Sequence, residues 1–97
     1  MKIAISKPED IGRIVRAARK ANGMRQDDTA GSIGVSENFI GKVERGSETV
    51  LWGKLFQVLD ELGLRVSIEV PEVYAEQTQK ELEKLDIKLA LKSSYNG

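Results

Sequence analysis

Gly23, Gly34, Gly46 and Gly63 each stand where an apolar pattern of helical period runs out. Glycine accepts the left-handed backbone that closes a helix C-terminus, so these positions cut the first sixty-three residues into four short helices. The first helix opens on Ser6-Lys7-Pro8-Glu9, a capping-box spacing with Ser6 as N-cap and Pro8 tolerated in the first turn. Ile11, Ile14, Val15, Ala18 and Ala21 then recur at a period near 3.6. A second helix is expected over Gln26 to Ser32, with Asp27 and Asp28 in the turn where the helix dipole favours acids. Ser36 caps a third helix, Ser36 to Glu44, facing inward with Phe39, Ile40 and Val43. A fourth, Leu51 to Leu62, carries Leu51, Leu55, Val58, Leu59 and Leu62 on one stripe.

After Gly63 the period changes. Leu64, Val66, Ile68 and Val70 alternate with polar residues until Pro71, the signature of a half-buried strand. A lone strand cannot satisfy its own backbone, so Leu64–Val70 is expected to pair with its own copy across a two-fold axis. Met1–Ile5 is a weaker strand candidate, with Ile3 and Ile5 alternating. From Glu72 to Lys92, Thr78, Leu82, Leu85 and Leu89 fall at helical spacing in a charged segment, while Ile87–Leu91 also fits an extended reading. Ser93 to Gly97 reads as a frayed end. The expected architecture is mainly α: a four-to-five-helix domain over residues 1–70 with one C-terminal strand forming an intermolecular sheet. A helical or flexible tail, residues 71–97, follows.

With 97 residues the chain holds one small domain and an appendage, and a chain this size buries only about 60–65% of its unfolded surface. It contains neither cysteine nor histidine. Disulfides, Cys/His zinc sites, thiol nucleophiles and the commonest general base are therefore excluded, and no cofactor, metal or enzymatic site is expected. No apolar run approaches the length needed to span a bilayer and no secretory start is visible, so a cytoplasmic location is expected. Fifteen basic and fifteen acidic side chains cancel. Yet Ile11 to Arg25 holds five basic residues (Arg13, Arg16, Arg19, Lys20 and Arg25) and no acid, a local basic face on a neutral chain.

The segment Arg25 to Gly46, RQDDTAGSIGVSENFIGKVERG, has the order short helix, glycine turn, short helix of a helix-turn-helix. Ala30 is small where the two helices cross, Gly34 takes the turn's backbone angles, and Val35 and Ile40 plug the angle between the helices. From Ile11 to Leu64 the sequence resembles the lambda-repressor/Cro-like (Xre-type) helix-turn-helix family. The match rests on R-x-x-R-x-x-x-G ending at Gly23, Gln26, Ala30, Gly34-Val35-Ser36 and V-E-R-G ending at Gly46. The phrases G-V-S-E-N-F-I-G-K-V-E-R-G and V-L-D-E-L-G-L-R-V, with the strand after them, look like the HipB-type antitoxin branch. Departures are Arg25 in place of a capping Ser or Thr, Thr29 in place of a buried leucine, and Gly31 within the second helix. Together they lower the expected stability by about 1–3 kcal/mol.

The resemblance implies double-stranded DNA as ligand, with the third helix in the major groove. Glu37, Asn38, Gly41 and Lys42 are then the base contacts. Asn38 suits bidentate pairing with adenine, Lys42 suits guanine or phosphate, and Glu37 either accepts from cytosine or discourages nonspecific binding. Gln26 and Ser36, at helix N-termini, and Arg45 are phosphate contacts. Arg13, Arg16 and Lys20 suit phosphate and solvent equally. The resemblance also implies a partly buried ion pair between Arg19 and Glu44. Leu64, Val66, Ile68 and Val70 form the expected homodimer interface, matching a pseudo-palindromic operator. Trp52 and Phe56, one helical turn apart, suit core or dimer contact rather than a base-stacking platform. The function expected is transcriptional repression, as the antitoxin of a HipA-type kinase toxin. A stand-alone repressor and an adaptor without DNA binding remain open alternatives. The leucine stripe of the tail would be covered by toxin, by the same protomer or by the dimer mate, or would belong to a fraying, solvated tail.

Overall fold

The computed structural model describes residues 1–96, with side chains described as far as Leu89. It forms two compact units, Met1–Arg65 and Val66–Gly97. The first holds α1 (Pro8–Ala21), α2 (Gln26–Ile33), α3 (Glu37–Glu44) and α4 (Trp52–Glu61), and the second holds a 3-10 turn (Glu72–Tyr74) and α5 (Ala75–Asn96). Gly23, Gly34, Gly46 and Gly63 all take positive φ, between 66° and 83°, so the glycine punctuation closes each of the four helices. Helix boundaries agree with the sequence pattern to within about a residue.

The caps differ from expectation in their atoms. Lys7 rather than Ser6 is the N-cap of α1, because Pro8 occupies the first helical turn and places the cap beside it. Ser6 instead donates its backbone N–H to Asp10 Oδ2 at 2.9 Å, and its hydroxyl lies 3.2 Å from the same oxygen. The Ser6 backbone bond holds the Asp10 carboxyl below the usual carboxylate range. At α2 the arginine cap contributes no side-chain acceptor, and Asp28 Oδ2 compensates by accepting from the Arg25 N–H at 3.1 Å.

Every helix of the first unit contributes to one core: Val15 from α1, Ala30 from α2, Ile40 and Val43 from α3, Val58 and Leu59 from α4. Val35, Phe39, Leu55 and Leu64 pack against it half-buried. Thr29 is fully buried where a leucine was expected, and its hydroxyl donates to the Arg25 carbonyl at 3.3 Å. The hydroxyl thus costs little, since a buried donor with a partner avoids the desolvation penalty. Leu51 departs from the expected stripe: it is the extended N-cap of α4, outside the helix itself, and its side chain is exposed. Trp52 and Phe56 likewise lie outside the core, at 79% and 51% exposure.

Among the described residues there is no strand. Leu64–Val70 and Met1–Ile5 take no regular secondary structure, because a single chain offers neither segment a partner edge. Leu64 packs on the helical core while Val66, Ile68 and Val70 are exposed. The tail resolves to helix. α5 runs unbroken through Ile87–Leu91 and on to Asn96, so the extended reading of that stretch gives way to helix; Gly97 lies outside the described residues. Exposed pairs such as Lys84–Glu81 at 3.3 Å and Gln77–Glu81 at 3.1 Å line this helix, each stabilising it by about 0.2–0.5 kcal/mol.

Two glycines separate close packing from helix propensity. A Cβ on Gly12 would stand 2.6 Å from the carbonyl oxygens of Val43 and Glu44, so α1 and the end of α3 touch through bare backbone. A Cβ on Gly31 would meet nothing within 4 Å. Gly12→Ala therefore lowers unfolding free energy by about 1–3 kcal/mol, whereas Gly31→Ala raises it by about 0.5–1 kcal/mol. Urea unfolding of the two variants checks the opposite signs.

Candidate nucleic-acid interface

The outward face of α3 follows from its inward one. Ile40 and Val43 are buried and Phe39 is half-buried, so Glu37, Asn38 and Lys42 project to solvent. Residues three and four apart share a helix face, which aligns Glu37, Gly41 and Arg45 beside Asn38 and Lys42. At its N-terminus, Ser36 Oγ accepts from the Phe39 N–H at 3.0 Å, and the hydroxyl keeps its own proton available as a donor. Eight residues make a helix about 12 Å long, commensurate with a major groove about 12 Å wide.

Gln26, Ser36, Glu37, Asn38, Gly41 and Arg45 together line one open depression between the start of α2 and α3. Of the seven residues expected to touch DNA, only Lys42 lies outside it, exposed beside it on α3. Gly41 is not bare helix surface: it is buried, and the Arg45 guanidinium folds back over it, with Nη1 3.0 Å from where a Cβ would stand. The glycine gives that guanidinium room to lie along the helix. Arg45 is also the C-cap of α3, where a positive charge suits the negative end of the dipole.

Behind the face lies an ion-pair network. Arg19 on α1 grips Glu44 on α3 bidentately, Nε to Oε2 at 2.6 Å and Nη2 to Oε1 at 2.9 Å. Its Nη1 donates to the Met24 carbonyl at 2.9 Å, and Gln26 Nε2 donates to Glu44 Oε1 at 3.1 Å. The Arg19 and Glu44 side chains are only 9% and 4% exposed. Burial pushes the Glu44 carboxyl up, but the hydrogen bonds from Arg19 and Gln26 and the Arg19 and Arg16 charges outweigh it and hold it below the ordinary glutamate range. The Glu44 hydrogen bond holds Arg19 above its usual value.

The ion pair was readable from the resemblance; its extension to Gln26 was not. Gln26 and Glu44 stand eighteen residues apart with no local motif linking them. The network engages the Gln26 side-chain Nε2, which leaves the helix N-terminus of α2 as the feature that would suit a phosphate there. Arg13 pairs with Asp10 at 3.6 Å, and Arg16 and Lys20 are exposed on α1. Among the described residues no group of acids gathers as a metal site, and no helix is long and apolar enough to cross a membrane.

Comparison with known proteins follows the same outline. The Helix-turn-helix family profile matches residues 15–67. The HTH-type transcriptional regulator y4mF of Sinorhizobium fredii (strain NBRC 101917 / NGR234), itself described as uncharacterized, is 45% identical over 67 residues, 69% of this chain and 88% of the relative. A chain from the structure of a HipA–HipB–O2–O3 complex superimposes with a TM-score of 0.67 at 21% identity, covering 73% of this chain and 100% of that one. A chain from a HipB–O4 20mer complex gives a TM-score of 0.66 at 21% identity with the same coverage. A mutant of the restriction-modification controller protein C.Esp1396I gives 0.53 at 22% identity, over 84% and 98% of the two chains. At these identities the structural likeness is one of fold, and the fold is HipB-like.

The buried pair makes two measurable statements. Glu44→Leu strands the Arg19 guanidinium and costs about 3–5 kcal/mol, whereas Arg19→Met with Glu44→Leu returns to within about 2 kcal/mol of the parent. Because the folded Glu44 pKa is depressed, its contribution is complete above the ordinary glutamate value of about 4.3 and is lost as pH falls through the lower folded value. Urea titrations from pH 6 downward check both points: acid destabilises the parent in this window more than it does the double variant.

Proposed function

The chain belongs to the helix-turn-helix family of transcriptional regulators, and from that premise we propose that it is a sequence-specific repressor that places α3 in the major groove of double-stranded DNA as a homodimer. One observation carries this reading: six of the seven expected DNA contacts line a single open depression, while the core residues of α3 face the other way. Asn38, free at the start of α3, reads adenine, and Lys42 reads guanine or a phosphate. Glu37 biases the site against unmatched sequences. Arg45, Ser36 and the amides at the start of α2 hold phosphates and fix the angle of approach.

Dimerisation completes the reader. Pairing of Leu64–Val70 with the same segment of a second protomer buries Val66, Ile68 and Val70, which a single chain leaves exposed. Two copies of α3 about 34 Å apart then meet successive major grooves of a pseudo-palindromic operator. The net charge of zero makes the second set of phosphate contacts important, since nonspecific attraction is weak. The repressor works in the cytoplasm and uses neither cofactor nor catalysis. A finer role follows from the HipB-like fold, one instance of which is solved in a complex with HipA: the chain is the antitoxin of a HipA-type kinase toxin and represses the operon encoding both.

Mobility-shift measurements on the DNA upstream of the chain's own gene test the reader. Asn38→Ala lowers affinity for the preferred site about ten- to hundredfold. Arg45→Ala weakens all duplexes alike and reduces the salt slope by about one per protomer. Unchanged affinity after Asn38→Ala with Lys42→Ala removes α3 as the reading helix. In sedimentation Ile68→Asp weakens the dimer at least about tenfold while leaving the fold intact, since Ile68 is 87% exposed in the single chain. Co-purification with a cognate kinase, and growth rescue of cells expressing it, separates the antitoxin from a stand-alone repressor.

A further inference from the structure

α5 carries a second unpartnered face, independent of the DNA-reading surface. Leu82, Leu85 and Leu89 are 48%, 54% and 65% exposed, and with Thr78 they recur at intervals of four, three and four residues. That is the seam of a two-helix coiled coil, with Leu82 and Leu89 at one core position of the heptad and Thr78 and Leu85 at the other. The flanking positions then follow. Glu81 and Lys88 lie along one side of the seam, Gln79 and Asp86 along the other.

We propose that α5 pairs antiparallel with α5 of a second copy of this chain. The charges choose both the occupant and its direction. In an antiparallel pair Leu82 packs on the partner's Leu85 and Leu89 on the partner's Thr78. Glu81 then lies beside the partner's Lys88, and the Gln79 amide beside the partner's Asp86 carboxylate; the two-fold repeats each contact. A parallel pair sets Glu81 against the partner's Asp86 twice, placing like charges at the edge of the seam. The helix is self-complementary in one direction only. This contact lies apart from the Leu64–Val70 pairing and holds or falls without it.

The chain has no cysteine, so introduced thiols report on their neighbours alone. Thr78→Cys and Leu89→Cys variants of the full chain are oxidised mildly, each alone and as a mixture. In the antiparallel pair residue 78 meets 89 of the other copy, while the two copies of residue 78 lie about 16 Å apart along the axis, beyond the ~7 Å Cα separation a disulfide allows. The mixed disulfide is therefore expected to dominate. Adding Glu81→Lys to both variants slows it about three- to tenfold, and further adding Lys88→Glu restores the rate. Helicity by circular dichroism confirms that α5 persists throughout. Ready disulfide formation by Thr78→Cys alone means a parallel pair and overturns the proposal. So does the absence of any disulfide, which leaves the stripe to a foreign protein or to water, and so does a rate indifferent to the charge of residue 81.

Discussion

The contact between Arg19 and Glu44 positions the three helices that surround the open depression of α2 and α3. It joins α1 to the last turn of α3, and through the Met24 carbonyl and the Gln26 amide it also holds the start of α2. Three helices shorter than about fifteen residues are marginal alone, so their mutual angles must come from tertiary contacts. A planar guanidinium with five donors can satisfy two carboxylate oxygens and a carbonyl at once, which a lysine ammonium cannot do with fixed direction. The close approach at Gly12 serves the same junction: α1 backbone meets the carbonyls of Val43 and Glu44, about two turns along α1 from Arg19. Fixed from behind, α3 keeps Glu37, Asn38 and Lys42 out of the core.

The remaining packing is thin. Six buried apolar residues make up the core of the first unit, and half of them are valines. One fully buried position goes to a threonine, and α2 contains a glycine with no packing role. Leu51, Trp52 and Phe56 remain on the surface of α4, and Val66, Ile68 and Val70 on the segment after it. Small domains commonly recover such surface by association. The modest core and the unburied apolar residues are thus two sides of one packing deficit. α5 adds a further exposed apolar stripe, Leu82, Leu85 and Leu89, flanked by charges of both signs.

Much of this was readable from sequence, for identifiable reasons. Helix ends were visible because glycine at positive φ leaves a local mark, as at Gly34 and Gly46. The inward residues Val15, Ile40, Val43, Val58 and Leu59 were visible because burial repeats at the helical period. The outer face of α3 followed as the complement of that pattern. What escaped depends on contacts distant along the chain or on single-residue geometry. Gln26 reaches Glu44, and Gly12 reaches the end of α3, with nothing in either segment to announce it. Gly41 is surface in the helical projection and yet lies buried beneath Arg45. Leu51 fits the stripe by spacing but sits outside the helix as its cap. The alternation of Leu64–Val70 reads as a strand in sequence, yet the segment takes no regular structure in the single chain.

That the α2–α3 depression is the DNA-binding surface can be read most directly by titrating the isotopically labelled chain with its upstream duplex and following each backbone amide by NMR. Binding there shifts Gln26, Ser36 to Lys42 and Arg45 strongly, and leaves the middle of α4 and the 3-10 turn at Glu72–Tyr74 nearly unmoved. Shifts centred on α4 or α5 instead, with α3 unperturbed at saturating duplex, would contradict it.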